Sequence, residues 1–472
     1  MGQTLRLNLP PMVSHPARQG PATMTASHSH RIGLNRREVL QVGYSMLLGA
    51  SAAGIARGTT GTARKPKSMI LVFLTGAASH IDTFDPKPDA PAEIRGEFKT
   101  VSTAVPGLHF SEHVPMLAAR AKQFAVVRSF AHKDNNHTAA SHHVTTGSLQ
   151  PGVRFDKILS RDDWPVYAAG VSYHRPPAPG VPAGVNLPFF LSEGPLLWPG
   201  QHAGFLGPKY DPWQLNQDPN GKTFKVDNMS IPAGFDVDSL GDRQALLREM
   251  NRGQAQLAAV AESRRLTEQQ EKAFAMLTSG KVGQAFDLTR ETAETRDRYG
   301  RHMFGQSLLL ARRLVQAGVP VVQANMGKVQ NWDSHSNNFG RLKKDLLPPT
   351  DKGVSALLDD LTNMGMLDDT LVVVIGEFGR TPKVNVKDGG RDHWAACFSG
   401  LFAGAGVRGG QVIGKSDKTG AYPTTTPFSP DDLGATVYDV LGVDPAVEVR
   451  DRLNRPVQLN RGAVIKGLFT GA

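Results

Sequence analysis

Cysteine is almost missing from this chain, since Cys397 is the single one among 472 residues. One cysteine excludes an internal disulfide and argues against a cysteine-based metal cluster. Any bound metal would therefore have to be held by histidine and carboxylate side chains. Cys397 itself lies in an apolar run, which is typical of a buried structural thiol rather than of a nucleophile.

Several motifs of known enzyme classes are missing as well. The chain has no glycine-rich phosphate loop, no dinucleotide fingerprint, no Gly-x-Ser-x-Gly elbow and no internal repeat. Kinases, dehydrogenases and α/β-hydrolases are therefore disfavoured. Apolar residues make up 40% and charged residues 20% of the chain, as in ordinary soluble globular proteins. The length suits one large α/β domain with insertions, or two domains.

The chain also lacks a long basic run, although its formal charge is +10. Residues 1–56 carry five arginines and one glutamate, and the remainder has 48 basic and 42 acidic residues. So mild an excess could favour an anionic substrate through the general field of the protein. It does not indicate nucleic acid, and we predict no nucleic-acid partner.

The N-terminal region has the pattern of an export signal. Residues 35–40 read Asn-Arg-Arg-Glu-Val-Leu, a twin-arginine pattern, and a weakly apolar stretch follows over 39–56. We predict recognition by the twin-arginine translocation machinery, removal of residues 1–56, a linker at 57–68, and a periplasmic or secreted product. The apolar stretch is short for a membrane span, so contact with the membrane is expected only during export or through an uncleaved anchor. The alternative is an ordinary helix start with two adjacent arginines.

Beyond the linker, apolar strand-like runs alternate with helical patterns. The strand-like runs are residues 69–74, 124–128, 319–324, 370–375 and 397–403, and helices are predicted at 339–364 and 431–441. This alternation predicts an α/β domain over 69–472 with a mostly parallel central sheet and helices on both faces. Residues 148–235, rich in proline, tryptophan and glycine, predict an irregular insertion that roofs the site. Residues 238–317 predict a helical segment.

Three short segments near predicted strand ends combine carboxylates with histidines. They are residues 331–335, 376–380 and 390–394. Ligands of parallel sheets bind beyond the carboxyl ends of the strands. Because imidazole and carboxylate are the groups that zinc, iron or manganese sites require, these segments predict a metal-assisted hydrolytic site.

The first two segments each have a functional and a structural interpretation. Asp333 and His335 are spaced so that both side chains can reach one ion, or Asp333 can cap a helix beside a solvated histidine. Glu377 directly follows the most apolar strand, where it can bind metal while Arg380 holds an anionic substrate. The alternative is a Glu377–Arg380 ion pair that braces a turn.

The remaining candidates are weaker when taken singly. Asp392 and His393 lie in a glycine-rich loop and are both predicted to belong to the metal site, where Asp392 can also orient the imidazole; the alternative is a plain surface loop. Asp82 follows the first strand as a potential metal ligand or a turn carboxylate. Four histidines fall within residues 132–143, and we expect two or more of them to be structural or solvent-facing.

Together these segments resemble a secreted bacterial family, the domain of unknown function 1501 (DUF1501). The resemblance covers nearly the whole chain after the signal. It rests on residues 81–88, 128–129, 137–147, 298–300, 311–314, 332–335, 376–382 and 390–394.

The order of elements is also similar to that of the alkaline phosphatase and sulfatase superfamily, which implies a two-metal site at the carboxyl edge of the sheet. This resemblance assigns metal binding to Asp333, His335, Glu377 and His393. Its nucleophile stands ten residues before a Thr-Gly pair, which here places His137 at that position with Thr138 adjacent. His137 could then be a nucleophile or a metal ligand, or it could mark the loss of covalent catalysis.

Two departures from the superfamily pattern bear on the number of metals. The first strand ends without an aspartate and leaves only Asp82 nearby, and Glu377 is followed by Phe378 instead of histidine. One ion is therefore better supported than two, and zinc, manganese, calcium and iron all remain candidates.

The sequence thus predicts an exported, metal-dependent hydrolase of phosphate or sulfate esters. Its expected partner is an anionic ester or polysaccharide substrate. The alternative is a non-catalytic binding or cell-surface assembly protein on a phosphatase-like scaffold, because fold alone does not determine function.

Overall fold

The computed structural model of the chain describes residues 67–150, 159–193, 196–222, 224, 226, 280–327 and 331–470. The predicted signal at 1–56, most of the linker and residues 238–279 of the predicted helical segment lie outside these residues.

The strands of the described chain are numbered here in chain order. They are β1 (Ser68–Phe73), β2 (Thr100–Ser102), β3 (His109–Ser111), β4 (Phe124–Phe130), β5 (Val185–Leu187), β6 (Ser192–Glu193), β7 (Leu196–Leu197), β8 (Trp213–Gln214), β9 (Val321–Asn325), β10 (Thr370–Ile375), β11 (Gly379–Arg380), β12 (His393–Trp394), β13 (Phe398–Ala403), β14 (Gln411–Ile413), β15 (Glu448–Arg450) and β16 (Pro456–Gln458).

The α-helices are numbered in the same way. They are α1 (Ala92–Arg95), α2 (Pro115–Ala119), α3 (His137–Thr146), α4 (Tyr167–His174), α5 (Lys281–Phe286), α6 (Ala293–Tyr299), α7 (Met303–Gln316), α8 (Asn338–Arg341), α9 (Leu347–Asn363), α10 (Pro430–Val440) and α11 (Gly467–Thr470). A π-helical turn (Leu342–Leu346) joins α8 to α9.

The central sheet has eight strands in the order β14-β4-β13-β10-β1-β9-β5-β8. The pairs of β1 with β10 and β9 are parallel, and so are those of β14 with β4, β5 with β9 and β5 with β8. Strand β13 runs antiparallel to both of its neighbours, β10 and β4. All the other strands therefore point in one direction, and their carboxyl ends meet at one edge of the sheet.

The central strands are buried on both faces, as their continuous apolar runs predict. In β1, Ile70 and Val72 pack into a core with helices α7 and α9, whereas Leu71 and Phe73 pack into a second core with α4 and α10. Successive side chains of a strand point to opposite faces, so one apolar run supplies both cores. The predicted α/β class, with a mostly parallel sheet and helices on both faces, is confirmed.

The predicted insertion is more regular than its sequence suggests. Strands β5 and β8, which lie within residues 148–235, extend the central sheet beyond β9. Their pairing could not be read from so few residues without a clear period. Among the described helices, none is both long and apolar enough to span a bilayer.

Candidate metal centre

The sequence-predicted segments meet at the carboxyl edge of the sheet. Strands β1, β4, β9 and β10 run in one direction, and each is followed by a loop that carries candidate residues. Strand β4 leads to His137, β9 to Asp333 and β10 to Glu377. Parallel strands bring their following loops together, which explains why residues far apart in sequence become neighbours.

The loop that carries Asp333 is held in place by its neighbours. The backbone N–H of Trp332 donates to Thr75 O (3.0 Å) and its indole Nε1 donates to Met326 O (2.9 Å). Arg341 donates from Nη1 to the backbone oxygen of Asp333 (2.5 Å). The buried indole and this guanidinium fix the backbone on both sides of the carboxylate.

The loop that carries His393 packs closely against the one that carries His335. The Arg391 N–H donates to Ser334 O (2.9 Å), and Ser336 forms a bridge with Gly389. A Cβ at position 390 would lie 1.7 Å from the carbonyl oxygen of His335, so only glycine permits this approach. The short pair β11–β12 also sets His393 opposite Arg380.

Three imidazoles surround the carboxylate of Asp333. His335 Nε2 and His393 Nε2 lie 3.1 and 3.2 Å from Asp333 Oδ1, and His137 Nε2 lies 3.4 Å from Oδ2. The two nitrogens His335 Nε2 and His393 Nε2 are 2.9 Å apart. Donor atoms of His137, Asp333 and His393 all lie within 4.8 Å of one another and could hold a metal ion.

The opposite nitrogen of each imidazole is bound to an oxygen. Nδ1 of His137 lies 2.6 Å from Glu377 Oε1, Nδ1 of His335 lies 2.6 Å from Asp392 Oδ1, and Nδ1 of His393 lies 2.7 Å from the backbone oxygen of Asn135. Each Nδ1 therefore carries a proton, and Nε2 is the nitrogen that faces Asp333. Oxygen-supported imidazoles of this kind are typical of metal ligands.

The cluster attracts positive charge. Burial lowers the pKa of His137, but hydrogen bonds and charge from Asp333 and Glu377 outweigh it and raise this pKa to about 9. For Asp333, burial raises the pKa, but hydrogen bonds from His137 and His393 and the charge of Arg380 hold it well below the usual range. The Asp333 carboxylate is therefore ionised, and it stabilises a proton or a cation at His137.

The donor set fits a divalent ion. His137 is 6% exposed, and its Nε2 faces Asp333 Oδ2 from 3.4 Å. Three imidazole nitrogens and one carboxylate match the nitrogen and oxygen ligands of zinc, iron and manganese better than the oxygen-only shell of calcium. His137, Asp333, His335 and His393 are thus the residues that could hold the metal.

Arg380 differs from the expectation that it would hold a substrate anion. Its side chain is fully buried, and Nη2 lies 2.6 Å from Asp333 Oδ1. Its other N–H groups donate to the backbone oxygens of Ala77, Arg391 and Gly76. Burial lowers the pKa of this guanidinium, although the charge of Asp333 opposes that shift. Since its donors already have acceptors in the protein, Arg380 acts as a fixed internal cation.

Glu377 supports a ligand instead of joining the cluster directly. The fully buried carboxylate accepts from the N–H groups of Gly76 (2.9 Å) and Ala77 (3.1 Å) and from Nδ1 of His137. Gly76 and Ala77 both have positive φ, 98° and 67°, so that successive N–H groups form an anion-binding concavity. The turn after β1 therefore holds Glu377, and Glu377 holds His137.

The structure engages Asp82 and Asp392 with other protein groups. The fully buried Asp82 carboxylate pairs with Arg391 (Nε–Oδ2 2.7 Å) and accepts from Asn338 Nδ2 (2.8 Å), which differs from the metal-ligand role predicted for it. Asp392 Oδ1 accepts from Nδ1 of His335 and orients that imidazole, whereas the sequence suggested this support beside His393.

A family comparison gives the same residues a context. The family model described as "Protein of unknown function (DUF1501)" matches residues 66–469. The chain belongs to the DUF1501 family. No curated protein matches its sequence.

Solved structures with similar chains include sulfatases and alkaline phosphatase superfamily members. Ps i-CgsB in complex with k-i-k-neocarrahexaose has a TM-score of 0.39 at 12% identity, over 80% of this chain and 73% of that one. The PsFucS1 sulfatase from Pseudoalteromonas sp. has a TM-score of 0.33 at 14% identity, and the match covers 87% of this chain and 72% of that one. An alkaline phosphatase superfamily protein from Vibrio parahaemolyticus has a TM-score of 0.35 at 11% identity, and the match covers 83% of this chain and 71% of that one. At these values the similarity says nothing about substrate.

Some residues of this DUF1501 centre carried no usable signal in the sequence. Asn135 contributes a backbone carbonyl to His393, and Asn135 Oδ1 accepts from the Ala395 N–H (2.7 Å). Trp198, from the irregular segment, stacks on the His137 imidazole with ring centroids 6.1 Å apart. A backbone acceptor could be any residue type, and a lone tryptophan is most often simply core. Only the fold could identify either one.

Proposed function

We propose that this DUF1501 protein is an exported, metal-dependent hydrolase of phosphate or sulfate esters. One observation carries the proposal: three imidazole Nε2 atoms, each backed by an oxygen on Nδ1, converge on the Asp333 carboxylate. A core alone does not need three such imidazoles around one partly buried charge, whereas a metal site does.

The chain's own residues would divide the work as follows. His137, Asp333, His335 and His393 would hold one divalent ion, which when bound would polarise an ester oxygen or lower the pKa of water. Glu377 and Asp392 would accept the Nδ1 protons of His137 and His335 and orient both imidazoles so that Nε2 faces the ion. Arg380 would offset the charge of Asp333.

The geometry favours a ligand role over a nucleophile role for His137. Its Nδ1 is bound to Glu377 and its Nε2 faces Asp333, so neither nitrogen is turned toward an external group. The hydroxyl of Thr138 next to it is buried and makes no hydrogen bond within the described residues. That hydroxyl can donate a hydrogen bond to a bound group, and a water molecule is the proposed nucleophile.

The open side of the centre suits a large anionic substrate. The side chains of His335 and Asp392 are 47% and 52% exposed, whereas His137 and Arg380 on the other side are buried. An ester group at the surface of a polysaccharide could reach a centre that is open on one side. We therefore include sulfated polysaccharides in the proposed substrate class.

The direct test combines metal analysis with activity. His335→Ala and His393→Ala should lose bound metal and lose hydrolysis across phosphatase and sulfatase substrate panels while remaining folded by circular dichroism. His109→Ala is the matched control, because this histidine is exposed on β3 away from the cluster. Full metal content in both cluster variants would contradict the proposal.

A non-catalytic binding protein is the second candidate, and one observation favours it. Position 137, where the superfamily resemblance expects a nucleophile, holds a histidine whose two nitrogens already face carboxylates. A protein that keeps its metal yet cleaves no phosphate or sulfate ester at any pH tested would support this second function.

The export part of the proposal rests on residues 35–40. Replacing both Arg36 and Arg37 by lysine should block translocation and leave the precursor in the cytoplasm. Arg31→Lys, a change outside the pair, is the matched control. An unchanged exported yield of the double variant would contradict twin-arginine transport.

A further inference from the structure

Buried hydrogen-bond donors without acceptors occur on helix α3 and on the tryptophan ring that stacks on His137. Among the described residues, Trp198 Nε1, Thr138 Oγ1 and Ser141 Oγ have no hydrogen-bond partner. Trp198 is 1% exposed, and the other two side chains are fully buried. Buried polar atoms are nearly always hydrogen-bonded, so a group of them implies that something else meets them.

Two of these donors lie on one side of helix α3. Thr138 and Ser141 are three residues apart and therefore share a face of the helix. The chain after Trp198 packs along this part of the helix, since a Cβ at Gly200 would lie 2.4 Å from Thr145 Oγ1. Trp198 stacks nearly parallel on His137, with an angle of 20° between the rings. Trp198 and Thr138 are thus both neighbours of His137, one by ring stacking and the other in the helix.

The beginning of α3 adds positive electrostatic potential. Helix α3 has ten residues, and its Asn136 cap accepts only from the N–H of Ala139. The first N–H groups of a helix have no partner within the helix, and together with the helix dipole they favour an anion. His137 and Thr138 occupy this first turn.

We propose that Trp198 Nε1, the Thr138 hydroxyl and the first turn of α3 form the site that receives the oxyanion of the substrate. An indole N–H can only donate, so its partner must be an acceptor, and phosphate and sulfate offer several acceptor oxygens. This proposal rests on the proposed function and assigns to these residues the anion-binding role that Arg380 cannot fill.

The test uses inorganic phosphate and inorganic sulfate as probes of the metal-loaded protein, with calorimetric titration as the readout. Trp198→Phe and Thr138→Val each remove one donor with little change of shape. The anion used is whichever of the two the wild type binds more tightly. Each substitution should raise the Kd for this anion by about tenfold and leave the metal content unchanged. Thr138→Ser retains the hydroxyl and should restore binding to within about threefold of wild type.

Trp164→Phe is the matched control, because the Trp164 indole already donates to Leu459 O (2.9 Å). It should leave anion binding unchanged. Two results would overturn the oxyanion site and indicate bound water at these donors instead. One is that Trp198→Phe and Thr138→Val both bind the anion as tightly as the wild type. The other is that the wild type binds neither anion. The protein could also bind the anion through both donors and yet hydrolyse no ester. This result would support the oxyanion site and contradict the proposed function.

Discussion

The Arg380 guanidinium lies 2.6 Å from the Asp333 carboxylate and also donates to backbone carbonyls of the turn that follows β1. In the superfamily that the sequence resembles, this turn is expected to supply a metal-binding aspartate. Here its carbonyls accept from Arg380 and its N–H groups donate to Glu377. A protein cation therefore stands beside Asp333, next to the metal that we propose.

The first prediction concerns metal stoichiometry. The folded protein should bind one divalent ion per chain, because Arg380 already neutralises one side of Asp333 and Glu377 and Asp82 are engaged elsewhere. Elemental analysis after reconstitution with excess zinc or manganese and removal of free metal measures this directly. Two tightly held ions per chain would show that the cation beside Asp333 does not exclude a second site.

The second prediction tests the support of His137. Glu377→Gln should weaken metal binding about 10- to 100-fold, because a neutral amide holds the imidazole less firmly than a carboxylate. Competition with a chromogenic chelator measures the affinity. Glu112→Gln, at an exposed carboxylate that accepts from the Lys99 N–H, is the control and should bind metal as the wild type does. Equal affinities of the two variants would remove Glu377 from the metal centre.

The third prediction separates Asp82 from metal binding. Asp82→Asn leaves Arg391 as an uncompensated buried charge and should lower the free energy of unfolding by about 3–5 kcal/mol. Urea denaturation measures the loss, and metal content at saturation should remain that of the wild type. Asp162→Asn breaks an exposed pair with Arg452 and should cost less than about 1 kcal/mol. Loss of metal from folded Asp82→Asn would restore the original ligand assignment.

The fourth prediction concerns pH. Burial lowers the pKa of His132 to about 4, against partial opposition from its hydrogen bond to Glu377 O. In the unfolded chain, the His132 imidazole is protonated near its ordinary pKa of 6.5, whereas in the folded protein it stays neutral down to about pH 4. The contribution of neutral His132 to the free energy of unfolding is therefore intact above pH 6.5 and is lost as the pH falls toward 4.

His132→Gln removes this titration and retains hydrogen-bonding capacity. Between pH 7 and pH 4, wild type should lose about 2–3 kcal/mol more unfolding free energy than the variant. Urea denaturation of chelator-treated proteins measures the difference, since metal loss at low pH would otherwise contribute. If the free energy of unfolding fell by the same amount in both proteins between pH 7 and pH 4, the loss could not be assigned to His132.

The elements of the fold could be predicted largely from the sequence. Residues 69–74 and 370–375 are continuous apolar runs, and the structure buries both strands between two layers of helices. The sequence also predicted four residues that meet at the centre, because carboxylates and histidines beside strand ends are uncommon without a function. These residues are His137, Asp333, His335 and His393. Strands β5 and β8 escaped prediction, because two or three residues contain too little periodicity to reveal a pairing.

The roles within the centre depended on tertiary structure. Asp82, Glu377 and Arg380 have the same chemistry in the sequence whether they face a metal, a guanidinium or a backbone amide. Only the fold shows that Arg391 pairs with Asp82, that the positive-φ turn at Gly76 and Ala77 binds Glu377, and that Arg380 is enclosed. Local pattern determined which residues reach the edge of the sheet. The approach of distant loops determined what each residue touches, because contacts between residues hundreds of positions apart leave no local periodicity in the chain.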